Sequence, residues 1–559
     1  MEDRNFKLAP EYFERLRRYG HLRHVERGEY LARSGDSSAK LFLVESGTLD
    51  VVRDATPGLP ETVVHVHGPG AFAGELNVLT GQNMWLSIRV GTSGRVHVVE
   101  SERFETLMEE EPELSDVVLR ELLERRRSLK TGAAATAVEI LGEHFSPDAQ
   151  ILRTYVSRQQ IAHSWVNAGS DRGKSIIENL SLADEDLPVV LISTGQVLRR
   201  ATPKLLSELL GLGFKNTSHE VVDLVVVGAG PAGLAAAVYG ASEGLQTVLL
   251  DAQAVGGQAA GSSRIENYMG FTSGLSGGDL TGRAAVQALK FGAQIAAPCL
   301  VEKIENKIGD HEIHLHDGEV VTARAVVIAT GASYKSLPVP RWDEYVGAGI
   351  YYAATEMEAR DVSHQPVVVV GGANSAGQAA LFLLSHGCSV VLTVRGHDLN
   401  AGMSAYLVRR LRADPMISIR VGSEVTGLHG SPTLDSVTVH NNITDEDDVV
   451  DCRGLFCFIG AKPATKWLHG VRTDADGFIL TDRDLDDLMT RDDSSVWDGL
   501  GRRPLPFETS SPRVFAVGDV RYGSMKRVAA AVGEGASAVS SVHRALAYAQ
   551  KRANASTSE

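Results

Sequence analysis

The sequence predicts a multidomain chain: a β-roll followed by a helix, a small α/β unit, and then two α/β nucleotide-binding units. Three observations predict it. Two glycine-rich turns, Gly228-Ala229-Gly230-Pro231-Ala232-Gly233 and Gly371-Gly372-Ala373-Asn374-Ser375-Ala376, each follow a run of branched apolar residues and precede a stretch of helix-forming residues. Residues 1–130 interleave short apolar runs with Gly and Ser clusters, the punctuation of strands and turns. The 559 residues are too many for one hydrophobic core, so three or four domains are expected.

Composition narrows the function classes. A net charge of −15 argues against a nucleic-acid partner. The four cysteines, Cys299, Cys388, Cys452 and Cys457, are scattered and form no C-x-x-C pair, so no disulfide framework is implied. The opening Met1-Glu2-Asp3-Arg4 lacks the basic-then-apolar order of a secretory signal, which leads to the expectation of a cytoplasmic protein. The longest apolar window, Val221 to Gly240, contains Asp223, four glycines and Pro231; it reads as strand, turn and helix rather than a membrane span.

In chain order, Tyr30-Leu31-Ala32-Arg33 and Leu41-Phe42-Leu43-Val44 read as strands around the turn cluster at 34–38, and Gly47 to Val52 reads as the start of another. From Asp116 the spacing of Val117, Val118, Leu119, Leu122 and Leu123 becomes helical. Residues 131–136 are small and linker-like. Within 137–213, Ile151 to Val156 reads as helix and Leu187 to Ile192 as a strand with Pro188 at its entrance. A helix is expected over Pro203 to Leu212, with proline in its first turn and Gly213 after its end. The nucleotide-binding body occupies 220–546, and the polar residues 547–559 are expected to be a disordered tail.

The first glycine turn has its full context. Leu224 to Val227 is a buried-strand run before it, Leu234 to Val238 opens a helix after it, and the next strand, Val248-Leu249-Leu250, ends in Asp251. An acid about 20 residues past such a turn is placed to accept hydrogen bonds from ribose hydroxyls, while the glycines let the main chain approach a pyrophosphate at the positive end of the helix. The second unit, Val367 to Val370 and then Gly371, departs modestly, with Ala373 at the middle glycine. Its next strand, Ser389 to Val394, ends in Arg395. An arginine there either pairs with a 2′-phosphate, favouring NADPH over NADH, or is a surface residue with no ligand. A third piece, Val514-Phe515-Ala516-Val517-Gly518-Asp519-Val520, reads as a strand delivering an aspartate.

Together with Gly256-Gly257-Gln258, Ile265 to Phe271, Ala329-Thr330-Gly331-Ala332 and Val514 to Gly535, these motifs make residues 220–546 resemble the low-molecular-weight thioredoxin reductases. The resemblance implies two Rossmann-like domains. One binds FAD in two segments, 220–336 and 462–546; the other binds NADPH within 337–461. It implies an FAD site at Gly228, Gly230, Pro231, Ala232, Gly233, Asp251, Gly257, Gln258, Asn267, Gly518, Asp519, Arg527 and Ala529. It implies an NADPH site at Gly371, Gly372, Asn374, Ser375, Ala376 and Arg395. A homodimer, and an NADPH domain that rotates to present nicotinamide and substrate alternately to the flavin, are also implied.

The chain departs from that family at its redox centre. Where the family carries C-A-T-C, this sequence reads Ala353-Ala354-Thr355-Glu356. Neither Ala353 nor Glu356 can form a thiolate, so no flavin-to-disulfide relay runs through them. Glu356 is either a catalytic, proton-handling carboxylate near the flavin or a solvated helix residue. Cys452 and Cys457 flank or enter the strand Leu455 to Ile459 and read as buried structural thiols.

Residues 1–130 resemble cyclic-nucleotide-binding domains through Pro69-Gly70-Ala71-Phe72-Ala73-Gly74-Glu75-Leu76-Asn77-Val78-Leu79. The arginine that meets the cyclic phosphate in functional cassettes is Met84 here, followed by Trp85, so a cyclic nucleotide is not the expected ligand. Residues 137–213 resemble the thioredoxin/glutaredoxin fold, with Pro188 at the cis-proline position and Ser146-Pro147-Asp148-Ala149 in place of C-x-x-C.

The expectation is therefore an FAD- and NADPH-dependent oxidoreductase that passes electrons to an external acceptor, such as ferredoxin, a quinone or another carrier. No metal, nucleic acid or membrane partner is expected. Two alternatives stay open: a disulfide reductase acting directly from the flavin, and a flavin-based redox sensor with little turnover.

Overall fold

The computed structural model describes residues 6–37, 40–55, 60–74, 77–80, 82–129, 138–143, 146–159, 161–192, 195–212, 221–262, 265, 268–305, 309–346, 348–354, 356–485, 497 and 499–556. The N-terminal strands form one antiparallel sheet in the order His21–Val25, Ser87–Val99, Leu41–Arg53, Thr62–His67, with Tyr30–Ala32 and Phe72–Ala73 paired at its sides. Helices Pro10–Leu16, Ser101–Glu110 and Pro112–Leu129 accompany it, and Leu41, Phe42, Leu43, Phe72, Phe104 and Leu114 fill the core. The helix Pro10–Leu16 was not legible in the sequence. The two expected strands at 41–44 and 47–52 are one strand, Leu41–Arg53. Gly47, expected to begin the second of these strands, is a bulge residue inside the one strand: its φ is +84°, the register shifts on both sides of it, and a Cβ there would meet Thr92 O at 2.5 Å.

A four-stranded mixed sheet follows, in the order Val197–Leu198, Val189–Ile192, Val138–Gly142, Ser164–Asn167. Val138–Gly142 runs parallel to Ser164–Asn167 and antiparallel to Val189–Ile192. Helices Pro147–Arg158, Asp171–Leu180 and Pro203–Leu209 accompany it, and the Leu187–Pro188 peptide is cis. The last helix stops at Leu209 rather than Leu212, because Gly211 turns the chain with φ +71°; Gly213 lies outside the described residues.

The C-terminal body holds two sheet cores, the first mixed and the second parallel. The first orders Gln294–Ala296, Thr247–Leu250, Val222–Val227, Val320–Ile328, His311–Leu315 and Val301–Glu305, and Val514–Ala516 returns from the far end of the chain to pair with Val320–Ile328. Its parallel strands Val222–Val227 and Thr247–Leu250 are largely apolar runs because both faces are covered, whereas Val301–Glu305 and His311–Leu315 pair antiparallel and mix apolar with polar residues. The second orders Ile350–Tyr351, Gly454–Cys457, Pro366–Val370, Ser389–Val394 and Ile417–Val421, with a three-stranded antiparallel sheet, Ser423–Gly430, Leu434–Asn441 and Glu446–Asp451, beside it. A two-stranded ribbon, Ala332–Tyr334 with Ala461–Pro463, marks where the chain passes between the two cores. The helix Val528–Ser556 corrects the expected disordered tail: its alanine-rich sequence carries it through residues 547–556.

The units touch through specific groups. Asn83 N and Nδ2 donate to Leu210 O at 2.9 Å and Leu209 O at 3.0 Å, satisfying carbonyls at the end of the helix Pro203–Leu209. Trp85, 5% exposed, packs in the core of the four-stranded unit with Leu152, Tyr155, Val156 and Ala254. Lys290 pairs with Asp116 at 2.9 Å, and Arg153 lies 4.0 Å from Asp361.

Candidate functional site

The first glycine turn sits at the carboxyl end of Val222–Val227, between that strand and the helix Pro231–Ser242. Each glycine there has its own reason. Gly228 adopts φ +106°, and a Cβ on it would lie 2.4 Å from Ala329 O. A Cβ on Gly233 would lie 1.8 Å from Gly228 O, so this glycine lets helix and strand pack. Gly230 differs. Its φ of −73° suits any residue, and a Cβ there would meet nothing nearer than Gly257 Cα at 3.9 Å. Neither backbone nor packing demands glycine at 230, so the main chain there stays open to close approach, and the residues fit a pyrophosphate.

Asp251 follows the strand Thr247–Leu250. Its Oδ2 accepts from Ala229 N at 2.7 Å, and its Oδ1 from Gln253 N and Ala254 N at 2.9 and 3.0 Å. Burial pushes its carboxyl up from the ordinary range, and these three main-chain donors pull it back. The carboxylate therefore ties the glycine turn to the following turn. Gly257 adopts φ +53° with its would-be Cβ 2.9 Å from Gly230 Cα, and Gln258 Nε2 donates to Ala332 O. Asn267 lies outside the described residues.

Gly518 and Asp519 open a short 3-10 turn after Val514–Ala516. A Cβ on Gly518 would meet Ala232 Cβ at 2.9 Å, and one on Gly535 would meet Ala232 O at 2.0 Å, so Ala232 is the crossing point of the two helices. Burial raises the Asp519 carboxyl, Lys526 lowers it and Glu534 adds to the rise. Sequence reasoning missed Glu534. Its carboxylate accepts from Gly518 N at 2.7 Å, Ser524 Oγ at 2.8 Å and Arg521 Nη2 at 2.8 Å, holding the turn that presents Asp519. The only signal was its position beside Gly535. Arg527 and Ala529, at the start of the helix Val528–Ser556, are exposed.

The second glycine turn repeats the geometry between Pro366–Val370 and the helix Asn374–Ser385. Gly371 adopts φ +144°, with a would-be Cβ 2.5 Å from Phe458 O. Gly372 is bounded by Val394, and Ala376 is buried beneath the helix where a third glycine would stand. Asn374 Oδ1 accepts from Ser404 N at 2.7 Å, so it fastens this turn to the following helix. Ser375 is exposed at the helix start. Arg395 is exposed and makes no hydrogen bond or ion pair among the described residues. Glu356 opens the helix Glu356–Asp361; its side chain lies outside the described part.

All four cysteines are buried and free. Burial pushes the thiols of Cys299, Cys452 and Cys457 up to about 12, and raises Cys388. In the N-terminal unit, Glu75 and Leu76 lie outside the described residues, while Met84 and Trp85 are buried. Arg125 stacks over Phe72 at 4.3 Å and donates to Gly74 O. No described helix is long and apolar enough to cross a membrane.

Residues 222–535 match the pyridine nucleotide-disulphide oxidoreductase family, and residues 22–111 match the cyclic nucleotide-binding domain. The chain is 31% identical to the thioredoxin reductase of Treponema pallidum over 58% of this chain and 96% of that protein. It is 30% identical to that of Bacillus subtilis over 58% and 95%. Among solved structures, thioredoxin reductase from Lactococcus lactis in the FR conformation aligns with a TM-score of 0.52 at 28% identity, covering 58% of this chain and 99% of that one. The T. acidophilum enzyme aligns with a TM-score of 0.51, also at 28% identity, over 59% and 98%. Two glycine-turn folds joined by a ribbon, with glycines cleared for a dinucleotide, agree with these matches: the chain belongs to the pyridine nucleotide-disulphide oxidoreductase family as a thioredoxin-reductase-like oxidoreductase using FAD and NADPH, with a cyclic nucleotide-binding domain at its N-terminal side.

Proposed function

We propose that this oxidoreductase delivers electrons from NADPH, by way of FAD, to an external carrier without a redox cysteine pair of its own. The observation that carries the reading is the state of its sulfur. The stretch where the family places its pair reads Ala353 to Glu356, and each of the four cysteines present is buried with its thiol held far above neutrality. A protonated, enclosed thiol neither attacks a disulfide nor accepts a thiolate.

In this reading Gly228, Gly230, Pro231, Ala232, Gly233, Asp251, Gly257, Gln258, Asn267, Gly518, Asp519, Arg527 and Ala529 hold FAD. Gly371, Gly372, Asn374, Ser375, Ala376 and Arg395 hold NADPH. The bound cofactors supply the hydride chemistry, and the protein supplies orientation and electrostatics. Glu534 keeps Gly518 and Asp519 in place, Arg395 offers an unpaired guanidinium to a 2′-phosphate, and Glu356 is the group assigned to proton handling. The four-stranded unit, with a cis-proline and parallel and antiparallel pairings around Val138–Gly142, supports a thioredoxin-like module without cysteines, serving as a docking or spacer element. The catalytic body is proposed to work as a homodimer.

The test is anaerobic reduction of the yellow protein with NADPH and, separately, NADH, followed by addition of acceptors one at a time. We expect NADPH to bleach the flavin faster than NADH. Ferredoxin-type or quinone acceptors should restore the colour, while thioredoxin and a disulfide dye should not. Rapid turnover with thioredoxin would overturn the assignment. Equal use of NADH would remove the role of Arg395.

A further inference from the structure

We propose that the cavity where the three units meet is an effector site for an aliphatic carboxylate, separate from both dinucleotide cradles.

The cavity holds about 640 Å³, the size of sites that enclose small organic ligands. Each unit supplies a wall. The helix Pro112–Leu129 of the N-terminal unit brings Leu119 and Leu123, and the four-stranded unit brings Leu212. The reductase body brings Val286 and Leu289 of the helix Gly277–Lys290, with Ile295 of the strand Gln294–Ala296. No residue of either glycine turn lines the cavity, yet it abuts the first turn. Val255 stands in its wall, and the next residue, Gly256, donates its N–H to Ala229 O at 2.7 Å.

The lining sets the chemistry of the ligand. The apolar side chains are aliphatic, and none of the described lining residues is aromatic. A flat ring would find nothing to stack on, whereas an alkyl chain would exchange water for methyl groups. The sign of the head group follows from the charges. Asp116 is taken by Lys290 at 2.9 Å. Asp279 is engaged as well and sits in the first turn of its helix, where the dipole favours an acid. Glu124 is exposed and stands alone among the remaining lining acids. Against it are Arg120, Arg158 and Arg283, which make no hydrogen bond or ion pair with any described residue. The uncommitted charge is therefore positive, and a guanidinium meets a carboxylate through two parallel hydrogen bonds. A ligand with that head and an aliphatic body would touch all three units at once, so its occupancy would fasten the N-terminal unit to the reductase body.

The experiment is calorimetric titration of the full-length protein with decanoate, octanoate, decanol and decylamine. Decanoate should saturate one site per chain and bind about tenfold more tightly than octanoate. Decanol should bind more weakly, and decylamine should not bind. R158A/R283A keeps the apolar walls but removes two guanidiniums; it should weaken decanoate about tenfold and leave decanol unchanged. A285W places an indole in the cavity and should abolish binding of both, with the melting temperature showing that the variant is folded. Where A285W does not fold, the double variant decides alone. Decanoate that does not saturate overturns the inference, and so does decylamine binding as tightly as decanoate. Decanoate affinity unchanged in R158A/R283A or in folded A285W, or an equal loss of decanol and decanoate in R158A/R283A, overturns it as well.

Discussion

At Gly230 an added methyl group would find open space, and at Gly233 it would collide with the Gly228 carbonyl. The two glycines therefore fail differently. G230A should fold with stability within about 0.5 kcal/mol of wild type yet lose FAD, because the methyl stands where the pyrophosphate approaches. G233A should lose about 2–3 kcal/mol whether or not FAD is present. Chemical denaturation read beside flavin content separates them. His311 gives a pH signature. It is 1% exposed, and burial first, then the nearby Arg513, lowers it to about 4. In the unfolded chain it titrates near 6.5, so its contribution is intact above that value and is lost as pH falls toward 4. At pH 5 the loss amounts to about 2 kcal/mol. Melting followed from pH 7 to pH 5 should show a steep decline that H311Q makes shallower. Glu508, fully buried, accepts from Arg502 at 2.6 and 2.8 Å and from Leu505 N and Arg513 N at 2.7 and 2.8 Å. E508A leaves that guanidinium unpaired and should cost about 3–5 kcal/mol by the same denaturation measurement.

Among elements, the strand–turn–helix units were legible because their signals are local: branched runs, glycines at fixed offsets and an acid after the next strand. Long-range consequences were not. Gly47 looks like the start of a new strand until Ser87–Val99 is laid beside it, and Glu534 looks like a solvent-facing helix residue until Gly518 returns to meet it. The role of Asn83 and Trp85 was equally hidden, since Asn83 reaches its acceptor Leu209 across 126 residues. Met84 and Trp85 announced only that the phosphate arginine was missing. In the structure this stretch has become the seat of the next unit. W85A should remove that seat at about 3–5 kcal/mol, and brief proteolysis should then release the N-terminal unit faster than from wild type.

For the molecule as a whole, the N-terminal domain match and its altered cassette give a direct expectation. Cyclic AMP at about millimolar concentration should leave the melting temperature unchanged, since a ligand binding only the folded state would raise it. The sulfur chemistry scales up in the same way: iodoacetamide should label none of the four thiols in the native protein and all of them after denaturation. The contact between Arg153 and Asp361 carries a consequence for motion. Arg153 belongs to the four-stranded unit and Asp361 to the second core, so the pair joins a third body to the core beyond the ribbon. A plate hung on a hinge with a peg set against its rim turns only as often as the peg lets go; were the second core to swing, such a peg would keep its tempo without ever meeting the electrons.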